Sequence, residues 1–205
     1  MRAMVDTAEH RILQLARTMG VIRPRDVVAL GIGTPGPALH RLMQRGELER
    51  SGRGLYGLPD IPLATMHHTK VEVAKRVPGG VLCLLSALAF HELGTQSSHQ
   101  VWMAIDGRAH QPRLDYPATR FFRMSGEAFT TGIETHMIEG VPVRVYGPAK
   151  TVADCFKFRS KVGLDVAIEA LHDYIRRRMS IDELSRCARV CRVANVMRPY
   201  IEASL

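Results

Sequence analysis

The stretch "TPGPALHRLMQRGELERSGRGLYGL", residues 34–58, decides how the start of this chain folds. Thr34 can cap a helix whose first position is Pro35, a residue whose fixed φ and missing N–H suit a first turn. Leu39, Leu42 and Met43 recur at the helical period and form one apolar stripe, and Gly46 ends the run. Leu48 to Arg50, a Ser-Gly-Arg-Gly turn and Leu55 to Leu58 then read as a tight hairpin.

Towards the N-terminus the same kind of reading gives two more helices. Asp6 and Glu9 stand at capping-box spacing, and Ile12, Leu15, Ala16 and Met19 follow the helical period as far as Gly20. Pro24 opens a second helix with Val27, Val28 and Leu30 on its apolar side, and Gly31 stops it. Three short helices followed by a hairpin are the layout of a winged helix-turn-helix. In that motif the helix after the tight turn enters the major groove of DNA and the wing contacts backbone or minor groove.

The side chains suit that role. On a helical wheel His40, Arg41, Gln44 and Arg45 lie opposite the leucine stripe. Arginine can pair bidentately with guanine and glutamine with adenine. Arg50 and Arg53 on the hairpin would neutralise phosphates. Thr34, His40, Arg41, Gln44, Arg45, Arg50 and Arg53 are therefore the candidate DNA-contacting set. All nine basic residues among residues 1–60 are arginine, whose planar fork suits phosphates and base edges. Six acidic residues leave the segment only +3. A solvated amphipathic helix would carry a similar face, and winged helices also serve as protein-interaction modules.

"PDIPLATMHHT", residues 59–69, carries two prolines and reads as a linker between a domain of residues 1–60 and one of residues 61–205. After it come a helix over Val71 to Arg76, a break at Pro78-Gly79-Gly80 and a short buried strand in "VLCLL". Ser86 can cap a helix "ALAFHEL" that Gly94 closes. Strands are expected over 100–105, 120–124, 133–138 and 141–146, the last two joined by Glu139-Gly140. Helices are expected over 148–159, 163–178, 181–191 and 193–203, with Ser180 and Glu183 forming a capping box. The order is that of an α+β domain with a small, mostly antiparallel sheet and a C-terminal helical bundle.

Composition limits the function classes. With 205 residues, 46% hydrophobic and 23% charged, the chain reads as globular, and its formal charge of +8 favours polyanionic partners. No apolar run approaches the ~20 residues that span a bilayer. The opening residues mix charges into their apolar pattern and do not read as a signal peptide. Cys83, Cys155, Cys187 and Cys191 show neither a CxxC pair nor disulfide-like spacing. A cytoplasmic location, no membrane association and no cofactor are expected.

"LLSALAFHELGTQ" (84–96), "PRLDYP" (112–117) and "VPVRVYGPAKTVADCFKFRSKVGLDVAIEAL" (141–171), following that N-terminal layout, resemble the AbiE antitoxin family. Its members regulate abortive-infection, type IV toxin–antitoxin operons. The resemblance covers nearly the whole chain and is most specific in "YGPAKTVADCFKFR" (146–159). It implies an N-terminal domain that binds inverted repeats in its own promoter and represses the operon. It also implies a C-terminal domain that counteracts a nucleotidyltransferase-like toxin. Two subunits on the operator are the natural expectation for inverted repeats.

Other residues carry weaker chemistry. Lys150, Asp154 and Lys157 stand three or four apart, so they can form an ion-pair row on a helix surface or a positive patch for RNA or a partner. Arg176, Arg177 and Arg178 end a helix, where cations complement the dipole or extend a nucleic-acid surface. Asp60, Glu72 and Lys75 imitate the carboxylate–carboxylate–lysine set of a metal nuclease, a pattern easily matched by chance. His91 and His99 are eight apart, not the four of a zincin helix. The expectation is a regulator without catalytic activity; the alternatives are a nuclease delivered by its winged helix and a protein-interaction module.

Overall fold

Thr7, not Asp6, caps the first helix, α1 (Ala8–Met19): its hydroxyl accepts from the His10 backbone N–H at 3.3 Å. Asp6 itself lies outside the residues that the computed structural model describes, which are 7–52, 54–59 and 68–204. Most of the proposed linker, together with Asp60 and Arg53, also lies outside them. The chain divides into two compact units, one running to Glu72 and including Met137–Val141, the other made of Val73–His136 and Pro142–Leu205.

In the first unit α1 is followed by β1 (Val21–Ile22), α2 (Pro24–Ala29), α3 (Pro35–Gln44), β2 (Glu49–Gly52) and β3 (Leu55–Gly57). Pro24 and Pro35 both stand in a helix first turn, where a missing N–H costs nothing. Three helices and the hairpin thus match the sequence reading. β1 does not: two residues are too few to show a strand period. It pairs antiparallel with β3, Val21 opposite Gly57 and Ile22 opposite Tyr56, giving a sheet ordered β1-β3-β2. Ile12, Ala16, Ile22, Val27, Leu39, Leu42 and Leu48 close the core. Burying each large side chain contributes about 1.5–3 kcal/mol. α4 (His68–Arg76) begins in this unit, where His68 Nδ1 lies 3.0 Å from Glu139 Oε2.

The second unit holds β4 (Val81–Leu82), α5 (Leu84–His91), β5 (Val101–Asp106), β6 (Thr119–Met124), α6 (Glu127–Thr130), β7 (Ile133–Ile138) and β8 (Val141–Tyr146). Helices α7 (Pro148–Lys157), α8 (Arg159–Val162), α9 (Leu164–Arg176), α10 (Ile181–Val190) and α11 (Ala194–Glu202) follow. The strand order is β6-β5-β4-β8-β7. β4 runs antiparallel to β5 but parallel to β8, and β5 runs parallel to β6, so the sheet is mixed, not mostly antiparallel. The reason is the loop of residues 107–118, long enough to cross over and return the chain in the same direction.

α7 is the centre of this unit. Every residue from Ala149 to Phe156 is buried, and the helix packs against α5, α9, α10 and α11. Ser86 is not the cap of α5, which begins two residues earlier with Cys83 at its N-cap. Its hydroxyl instead accepts from the Trp102 backbone N–H at 2.8 Å and joins α5 to β5. Trp102 is buried and stacks on Phe122 with ring centroids 4.9 Å apart.

Candidate nucleic-acid interface

The candidate face is built by α3. Ala38, Leu39 and Leu42 anchor the helix in the first unit's core, and the 3.6-residue period then turns His40, Arg41, Gln44 and Arg45 outward. All four are exposed, with 57% of the Arg41 side chain and 48% of the Arg45 side chain accessible. Thr34 is exposed at the N-cap position and makes no side-chain capping bond, so its hydroxyl is not spent on the helix.

Electrostatics set where the two arginines stand. One carboxylate on α1, Glu9, accepts from both: Arg41 Nε at 2.6 Å on one oxygen and Arg45 Nη2 at 2.6 Å on the other. Arg45 Nε also lies 2.7 Å from Glu47. The bonds from Arg41, then Arg45, hold the Glu9 carboxyl below the usual carboxylate range, and Glu9 in turn raises the Arg45 guanidinium. The sequence reading gave Glu9 to a capping box with Asp6. Its partners lie 32 and 36 residues away, and no local spacing signals such a pair.

Arg50 is exposed on β2. Arg53 belongs to the turn residue outside the described set, so the hairpin's arginine pair is seen only at its first member.

The second unit corrects part of the reading. Lys150 and Asp154 are not on a surface: both side chains are buried, and they form an ion pair inside α7's surroundings. Lys150 Nζ lies 4.1 Å from the Tyr146 ring centroid, and Cys191 Sγ donates to Asp154 Oδ1 at 3.2 Å. From Ala149 to Phe156 α7 is covered on all sides, which leaves Lys150 and Asp154 no route to water. Burial pushes the Asp154 carboxyl up, against the pull of Lys150 and Cys191. Lys157 reaches the helix end and is half-buried beside Phe158.

Of the three terminal arginines of α9, Arg176 pairs with Asp173 and Arg177 donates to the carbonyls of His91 and Glu92. Arg177 therefore complements the C-terminus of α5, a different helix from its own. Arg178 is exposed, with φ at +53°. Glu72 and Lys75 of the nuclease-like set are buried on α4. Among the described residues no group of three or more His, Cys, Asp or Glu side chains is placed to hold a metal ion. No helix among them is long and apolar enough to cross a membrane.

Comparison with known proteins bears on both units. Residues 10–59 match a family described as "Transcriptional regulator, AbiEi antitoxin"; the match begins within α1, one residue after Glu9, runs past β3 and includes every exposed residue of the α3 face. The resemblance read from the sequence is thus met over that stretch. Among solved structures, the RV2827C protein from Mycobacterium tuberculosis is similar with a TM-score of 0.58. The likeness covers 98% of this chain and 83% of that one at 13% sequence identity, and so speaks to the fold. No curated protein matches the chain.

Proposed function

We propose that this chain is a DNA-binding antitoxin and a transcriptional repressor of its own toxin–antitoxin operon. In this reading the first unit is a winged helix-turn-helix. α3 enters the major groove, with Arg41, Gln44 and Arg45 reading base edges and Thr34 and His40 at its margin. Arg50 and Arg53 sit on the wing against phosphates. Two subunits occupy inverted repeats in the promoter, and the second unit, with its C-terminal helices, counteracts a nucleotidyltransferase-like toxin in the cytoplasm. The observation that carries the reading is the exposed arginine–glutamine face of α3 within the stretch matched to AbiEi regulators.

Fluorescence anisotropy against DNA from upstream of its own gene, with scrambled DNA as control, tests it. Tighter binding to the native site is expected, and Arg41→Ala should weaken that binding by about 1–3 kcal/mol, the worth of one bidentate base contact. Equal affinity for both DNAs with a steep salt dependence would reduce the reading to phosphate attraction. No binding to either would sink it. The antitoxin half is tested separately, by whether co-expression with the neighbouring gene's product restores growth.

A further inference from the structure

Residues 1–60 hold +3 of the chain's +8, so most of the basic excess lies elsewhere. Within the second unit it converges on one hollow. A cleft of about 820 Å³ is lined from the end of β6, the loop into α6, the end of α7 and the end of α10. Arg123, Lys157, Arg159, Arg189 and Arg192 surround it, against the single carboxylate of Glu127. Among the described residues none of these five cations forms an ion pair. Like charges gathered around one concavity repel each other, and low-dielectric walls focus their field on the space between them.

Parts of the cluster are held in place. Arg123 Nη1 donates to the carbonyls of Gly107 and Ala109 at 2.9 and 2.8 Å, and Arg159 Nη1 donates to the Phe156 carbonyl at 2.9 Å. Arg192 follows α10 with φ at +60°, where its N–H donates to the Arg189 carbonyl and that of Val193 to the Ala188 carbonyl. This is the helix-ending position that glycine usually fills, because a Cβ is strained there. The chain carries an arginine at that strained point, at the rim of the hollow.

We propose that this cleft binds a small anion carrying two or more phosphates, of the nucleoside di- or triphosphate class. Its volume falls among small-molecule sites of about 300–1,000 Å³. The cations come from separate segments onto one hollow, unlike the extended groove that tracks a polymer backbone. Guanidinium forks match phosphate oxygens two at a time. The inference does not depend on the DNA-binding reading of the first unit.

Isothermal titration of the full chain with inorganic pyrophosphate, and with adenosine triphosphate, at physiological salt tests it. Saturable one-to-one binding is expected, weakened at least about tenfold by Arg189→Gln with Arg192→Gly, since hydrogen bonds to charged groups are the strong ones. Glycine suits the backbone at 192, so a melting temperature that does not fall separates lost binding from lost fold. Lys157→Gln should weaken binding in the same direction, and Arg41→Ala with Arg45→Ala should leave it intact. The proposal is overturned by the absence of saturable binding, or by full affinity in the Arg189→Gln, Arg192→Gly variant. Loss of binding in the α3 variant, or binding confined to nucleic acid that pyrophosphate does not displace, overturns it equally.

Discussion

Glu9 shows how one side chain can tune a surface it is not part of. Each of its oxygens takes a different guanidinium of α3, so the two arginines are held at defined points instead of sweeping through water. Glu9→Gln removes the charge that restrains them. We expect tighter binding to scrambled DNA and a smaller ratio of native to scrambled affinity, both read in the same anisotropy titration. The carboxyl's folded-state pKa is depressed, so its stabilising contribution is present above the ordinary carboxylate range and lost as pH falls through the lowered value. Acid melts of the parent and of Glu9→Gln should therefore converge at low pH. The buried pair in α7 obeys a harsher rule. Asp154→Ala leaves the Lys150 ammonium uncompensated in the core and should cost about 3–5 kcal/mol, whereas Lys150→Met with Asp154→Leu should recover most of it. Urea unfolding of the three proteins decides this.

At the scale of elements, the ends of the helices are where substitutions speak most clearly. Ser180 accepts from the Glu183 N–H at 3.2 Å, and Ser180→Ala should cost about 1 kcal/mol of that cap. Arg178 stands just beyond α9 with a positive φ, and Arg178→Gly should stabilise by up to about 1 kcal/mol, measured as a shift in urea midpoint. Most elements were legible beforehand because proline, glycine and capping residues punctuate them: α2, α3 and α7 each begin at a proline the sequence displays. What stayed hidden had no local signal. β1 exists only because β3 is there to pair with it. The parallel partners of β5 and β4 depend on a crossover, which periodicity does not report. The α3 face was readable because a single helical period separates its two sides. α7 misled for the converse reason: its lysine and aspartate have surface chemistry and a buried address.

At the scale of the molecule, the fold likeness holds at 13% identity, so the architecture tolerates the replacement of most of its residues. The division of the chain into units bears on how it is made. The first unit is not contiguous: it includes Met137–Val141, with Glu139 beside His68. A ribosome therefore cannot release a finished first unit when residue 72 emerges. Roughly seventy more residues must follow, which at about 5–20 residues per second is a wait of roughly 3–14 seconds. Nascent chains stalled at about 110 residues should be cut by trypsin at Lys70 of α4, and chains stalled at about 180 residues should resist that cut. Synthesis thus imposes an order of maturation in which the core that seats α3, drawn from Ile12 to Leu48, is available early, and the contact of His68 with Glu139 closes only after much of the second unit has left the ribosome.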